Sequence, residues 1–237
     1  MNEQTTAKFS NREELDQIGD YRRVNAAGVL ALLFGVASLG ALIHPNVWVV
    51  NFTAILLGMT GLWMTNRNDN MGGRFASWAG IALGLFFLAW AASQFIAHRM
   101  VLYGEAQAVA EDWLDLVVTG EDKIAHQAML HPASRQATGF SVDDYYEMDE
   151  NANTARKNIF GTKPASEILG IGTDAKIQHI KNVTQDVDLK YGKLILLEYR
   201  VTGKDKEPVD ALVTIARSYK PELGRATWIV ADIGLPR

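Results

Sequence analysis

No cysteine occurs among the 237 residues, which excludes disulfides, thiolate nucleophiles and thiolate metal sites. That absence suits an oxidising compartment without requiring one. A basic surplus is missing as well. Against 27 Asp+Glu stand only 23 Lys+Arg, and without a basic stripe there is no support for nucleic-acid binding. The five histidines are scattered. His126 and His131 are five apart, which does not put both on one helix face, and His179 stands alone, so no zinc site is expected. Nor is any cofactor. "GIGTDA" (Gly170–Ala175) lacks the third glycine of a dinucleotide fingerprint and precedes a strand instead of following one. The most informative absence is local: the 43 residues between Arg23 and Arg67 contain no Asp, Glu, Lys or Arg, and neither does Phe75–His98.

About 20 apolar residues cover the hydrocarbon core of a bilayer. The first run therefore suffices for two crossings, divided by "HPN" (His44–Asn46), where Pro45 breaks a helix. The reading is an anchor over 24–99 with three transmembrane helices at 24–43, 47–65 and 75–98, preceded by a cytoplasmic tail, 1–23. A cleaved signal peptide would be shorter and would not follow so many polar residues. Arg12, Arg22 and Arg23 precede the first span, Arg67 and Arg74 flank the loop after the second, and the "HPN" loop has no cation. Positive flanks stay in the cytoplasm. Three spans then deliver 100–237 to the outside, which in a bacterium is the periplasm. No charge lies within a span, which argues against an ion or proton path. Small residues recur every four positions (Ala27, Ala31, Gly35; Ala76, Gly80, Gly84), as helices packed closely within one bundle require.

The first 99 residues hold 7 Lys+Arg and 6 Asp+Glu, the remaining 138 hold 16 and 21. This acidic C-terminal part is long enough for one core. Leu102, Ala106, Val109, Trp113 and Leu116 recur at helical spacing, so an amphipathic helix continues directly from the third span, with Gly104 a bend and Gly120 its αL cap. A second helix over Asp122–Leu130 buries Ile124, Ala125, Ala128 and Met129. "SVDD" (Ser141–Asp144) has capping-box spacing and opens a third, and short helical pieces follow near 154–160 and 164–169. The period then changes to two, predicting strands at Lys176–Thr184, Lys193–Thr202, Pro208–Tyr219 and Ala226–Ile233. The turns "KYGK", "GKDKE" and "KPELG" are short enough for an antiparallel meander. The fold class is a membrane anchor plus an exported α+β domain, with helices packed on one face of a curved antiparallel sheet.

That order, together with "EAQAVAEDWLDLVVTGEDKIAHQAMLHP" and the closing "TWIVADI", resembles the nuclear transport factor 2-like (ketosteroid-isomerase-like) fold over roughly Tyr103–Arg237. The whole chain is similar to uncharacterised bacterial multi-pass proteins that join Gly-rich spans to such a domain. The resemblance implies a cone-like sheet around a pocket, and any further strand has to come from 134–172.

Chemistry-bearing residues are few. Asp112, at the margin of the helical stripe, is a general-base candidate, though a solvated flank acid is the commoner case. His126 and Asp232 are the other weak catalytic candidates. Trp113, Tyr145, Tyr146, Tyr199 and Trp228 either line a pocket or, as aromatics more often do, fill a core. "DDYYEMDE" (Asp143–Glu150) has five carboxylates but not the ligand alternation or glycine of a calcium loop. No nucleophile–base–orienter set is recognisable. The expected role is a membrane-tethered periplasmic binding or assembly module, with the bilayer and other membrane or periplasmic proteins as partners. The alternative is an acid–base enzyme acting on a small apolar ligand in the cone.

Overall fold

The computed structural model describes residues 23–42, 48–68, 70–137, 139–188, 192–220 and 225–236. The "HPN" turn, residues 221–224 of "KPELG", Lys190 and Tyr191 of "KYGK" and the residues before 23 lie outside these. Two compact units divide at His98 and Arg99.

The first unit contains β1 (Arg23–Val24), α1 (Ala26–Ala37), a 3-10 turn (Ser38–Leu42), α2 (Trp48–Arg67), β2 (Met71–Gly72) and the first half of α3 (Arg74–Val118). β1 and β2 form a two-residue parallel clip, Arg23 opposite Met71. Asn25 caps α1 by accepting from the Ala27 N–H at 3.0 Å, and its Nδ2 donates to the Gly61 carbonyl at 2.6 Å and to Thr65 Oγ1 at 3.1 Å. One buried amide thus ties the start of α1 to the end of α2. The small-residue stripes face inward. A Cβ built on Gly80 would lie 2.5 Å from the Ala31 carbonyl carbon, and one on Gly35 3.2 Å from Gly80 Cα, so backbones touch where side chains normally intervene.

Among the described residues α2 and α3 are long and apolar enough to cross a membrane, and Ala26–Gly40 is a shorter apolar helix. The expected span over 24–43 is corrected to 12 α-helical residues followed by the 3-10 turn. The change comes at Ser38, whose backbone N–H is shared between the Phe34 and Val36 carbonyls as the helix tightens into the 3-10 turn.

The second unit begins within α3, which runs through Gly104 unbroken; the space beside that glycine is open. Leu102, Ala106, Ala110, Trp113, Leu114 and Val117 are buried at 0–1 % exposure, a stripe turned slightly from the expected one, with Val109 and Leu116 at its margin. Gly120, at φ +83°, ends the helix. There follow α4 (Asp122–Met129), α5 (Val142–Met148), α6 (Glu150–Gly161) and α7 (Ala165–Ile171). Ile124 is exposed instead of buried, because α4 turns Ala125, His126 and Gln127 inward. Ser141 caps α5 as its spacing implies, accepting from the Asp144 N–H at 3.0 Å.

Strands β3 (Lys176–Asp188), β4 (Gly192–Thr202), β5 (Val209–Lys220) and β6 (Arg225–Gly234) form an antiparallel meander in sequence order. It is an open sheet, not a closed barrel, and the described residues of 134–172 supply no further strand. Ile195, Leu197, Tyr199 and Val201 of β4 and Ala211, Val213 and Ile215 of β5 are fully buried against the helices. β3 breaks register twice, after His179 and after Asn182.

Candidate functional site

Of the three catalytic candidates, only His126 is enclosed. Trp113 Nε1 donates to the Ala125 carbonyl at 2.9 Å, fixing the rotation of α4 so that His126 and Gln127 face inward. His126 Nδ1 is 2.7 Å from the Tyr146 hydroxyl, which also meets Gln127 Nε2 at 3.3 Å and the Lys123 carbonyl at 3.1 Å. A phenol has one proton and two lone pairs. The arrangement that satisfies every contact has His126 Nδ1–H and Gln127 donating to the oxygen, and the oxygen donating to Lys123. Gln127 is used at both ends, since its Oε1 accepts from the Gln136 N–H at 3.0 Å. The Arg156 guanidinium stands 5.4 Å from the centre of the Tyr146 ring and pairs with Asp122. Three short helices, α4, α5 and α6, meet in this one polar knot.

Burial, and after it the nearby Arg156 charge, holds His126 below its ordinary range against the opposing pull of Asp122. Burial pushes the Tyr146 phenol up to about 12, so it stays a neutral donor. The unfolded histidine titrates near about 6.5. Below that value the unfolded chain binds a proton that the folded one resists. The stabilisation is therefore complete above about 6.5 and is lost as pH falls toward the lowered folded value. The midpoint for thermal unfolding of the C-terminal unit should fall across this window, and His126→Gln should flatten the fall. An unchanged slope in the variant would assign the acid sensitivity to other groups.

The remaining predicted residues are dispersed. Asp112 is exposed on α3 and Asp232 is exposed on β6, and no hydrogen bond or ion pair joins either to His126 among the described residues. Trp113 and Tyr199 belong to the filled core, at 1 % and 0 % exposure; burial, then Glu111, raises the Tyr199 phenol. Trp228 is half-buried under the Arg217 guanidinium, 5.5 Å from its ring. Tyr145 borders an open cavity of about 540 Å³, with Gln136, Phe140, Met148, Asp149 and Glu150. Asp232 borders another on the outer sheet face, about 490 Å³, with Lys181, Val183, Leu196, Glu198, Leu212 and Leu235. Lys181 and Glu198 pair across it at 3.0 Å. Among the described residues no group of three or more His, Asp or Glu is arranged to hold a metal ion.

Sequence reasoning missed Gln127 and Arg156 in the polar knot, and a second cluster in which Gln107 Nε2 donates to Asn182 Oδ1 at 3.0 Å and lies equally close to His179, while the Tyr199 hydroxyl donates to the Gln107 carbonyl at 3.3 Å. The only available signal was position: Gln107 follows Ala106 on the apolar stripe, and His179 alternates with Ile177 along β3. No protein-family model, curated protein or solved structure matches this chain.

Proposed function

We propose that the chain is a membrane-tethered module, anchored in a bacterial inner membrane, whose C-terminal α+β unit works in the periplasm by binding or assembling with other membrane or periplasmic proteins. One observation carries this reading: the two faces of the sheet differ. The inner face is packed solid by Trp113, Leu114, Ile195, Leu197, Tyr199 and Ile215. The outer face is open, with half-buried Leu196 and Leu212 around an ion pair. Apolar side chains open to solvent beside charged ones are the mixture a protein-binding patch presents.

Three crossings remain the preferred anchor. By rise per residue, Ala26–Leu42 extends roughly 28 Å as helix plus 3-10 turn, close to the thickness of the hydrocarbon core. The apolar windows of α2 and α3 are only 22 % and 28 % buried, unlike core helices of a soluble protein, and expose Phe52, Leu56, Met59, Leu85 and Phe86. Helices followed by a meander on one sheet face also fit the nuclear transport factor 2-like resemblance. The acid–base enzyme draws on the 2.7 Å contact between Tyr146 and His126, but that hydroxyl already has its full set of partners, which favours the module.

Alkaline phosphatase fused after Arg99 should be active and the same reporter within Asn66–Gly73 nearly silent; the reverse pattern sinks the orientation. A photo-crosslinking side chain at Leu212 should capture a protein in native membranes, and one at exposed Asp112 should not. Equal yields at the two positions would remove the outer face from the proposal.

A further inference from the structure

At the end of the helical unit that carries the arginines, β1, the last turn of α2 and the start of β2 enclose a polar cavity of about 620 Å³, lined by Arg23, Arg67, Asn68, Asn70 and Met71. Its walls are held by backbone. The Arg23 N–H donates to the Asn70 carbonyl at 3.1 Å, the Asn25 N–H to the Gly72 carbonyl at 3.0 Å, and the Met71 N–H to the Asn68 carbonyl at 3.0 Å. Two arginines distant in sequence therefore border one space. Among the described residues neither guanidinium has an ion pair. Arg67 instead lies over the Trp63 indole, 5.3 Å from the ring centre. Asp69 lies outside the described residues; with it counted, Arg22, Arg23, Arg67, Asp69 and Arg74 still sum to a positive charge.

We propose that Arg23 and Arg67 flank a binding site for the phosphate of an anionic lipid headgroup. Guanidinium presents paired N–H donors in the geometry that phosphate oxygens accept, and the two asparagine amides offer neutral donors for the rest of a polyol headgroup. Trp63 selects the lipid over a free anion. It is 62 % exposed on the apolar surface of α2, where an indole rests at the boundary of headgroups and acyl chains, and Arg67 stacks on it one turn further along. The phosphate of a lipid whose chains run along α2 is thereby brought to the cavity mouth. The inference rests on reading α2 and α3 as membrane-crossing helices.

The test uses the full chain in phosphatidylcholine vesicles and measures the association of spin-labelled phosphatidylglycerol relative to spin-labelled phosphatidylcholine. A preference for phosphatidylglycerol is expected, falling about five-fold for each of Arg23→Gln and Arg67→Gln. Arg74→Gln, the same charge change outside the cavity, should leave it intact. Equal loss in all three variants would reduce the effect to general surface attraction and overturn the site. So would binding of glycerol 3-phosphate in detergent with no lipid preference, which would make the ligand a soluble anion. A chain that does not co-float with the vesicles overturns the membrane reading itself; a chain that floats without headgroup preference overturns only this site.

Discussion

Replacing Trp113 by alanine is expected to cost the C-terminal unit about 3–5 kcal/mol, the usual loss for truncating an enclosed aromatic. The side chain is 1 % exposed, stacks at an angle on Phe160 with ring centres 6.3 Å apart, and holds α4 through its indole N–H. The substitution therefore opens a void and leaves the Ala125 carbonyl without that donor. Hydrogen exchange of the β4 amides from Ile195 to Val201, followed in the full chain in detergent, should accelerate more than about a hundredfold at constant pH, since about 1.4 kcal/mol is a factor of ten. Glu111→Ala, on the exposed side of the same helix, should alter exchange little. Equal acceleration in both would mean that the helix does not bury the face described.

Two glycines of α3 should respond to alanine with opposite signs. Gly80→Ala places a methyl 2.5 Å from the Ala31 carbonyl carbon and 2.6 Å from its oxygen. Backbone cannot step aside as a side-chain end does, so α1 and α3 must separate, at a cost of about 1–3 kcal/mol or more. Gly104→Ala meets nothing within 4 Å and removes the entropic penalty of a mid-helix glycine, a gain of about 0.5–1 kcal/mol. Unfolding of the full chain in mixed micelles against rising dodecyl sulfate should shift down for the first variant and up for the second. A neutral Gly80→Ala would show that the first-unit helices are further apart than the packing requires.

Much of this architecture was legible because it depends on local periodicity. Alternation in "LILLEYRV" and "VDALVTIA" marks β4 and β5, and the structure puts Ile195, Leu197, Tyr199 and Val201 on the buried face that a period of two assigns them. Ser141 and Gly120 announced a helix start and a helix end through chemistry that acts within a few residues. The shortening of α1 was not legible: charge counting sees an apolar run, whereas the passage from α-helix to 3-10 turn at Ser38 changes no charge and no hydropathy. The polar knot was hidden for another reason. Arg156 sits in "NTARKN", where any of the polar side chains reads as solvated, and its partner Asp122 is 34 residues away. Contacts between separate helices leave no period in the chain, so His126 and Tyr146 were singled out for residue type alone, and Gln127 and Arg156 were not singled out at all.

As the terminal strand of the sheet, β3 offers 13 residues of backbone to any chain that drifts alongside. A regular strand of that length is a template for cross-molecular pairing. Its two register breaks leave Ile180 and Val183 unmatched against β4, and between them Lys181 projects a cation already occupied by Glu198. A neighbour's strand cannot extend more than a few residues along such an edge before donors and acceptors fall out of step. Copies held side by side at high local density can therefore collide along this edge without zippering into a continuous sheet, a freedom given by the irregular pleat of one strand.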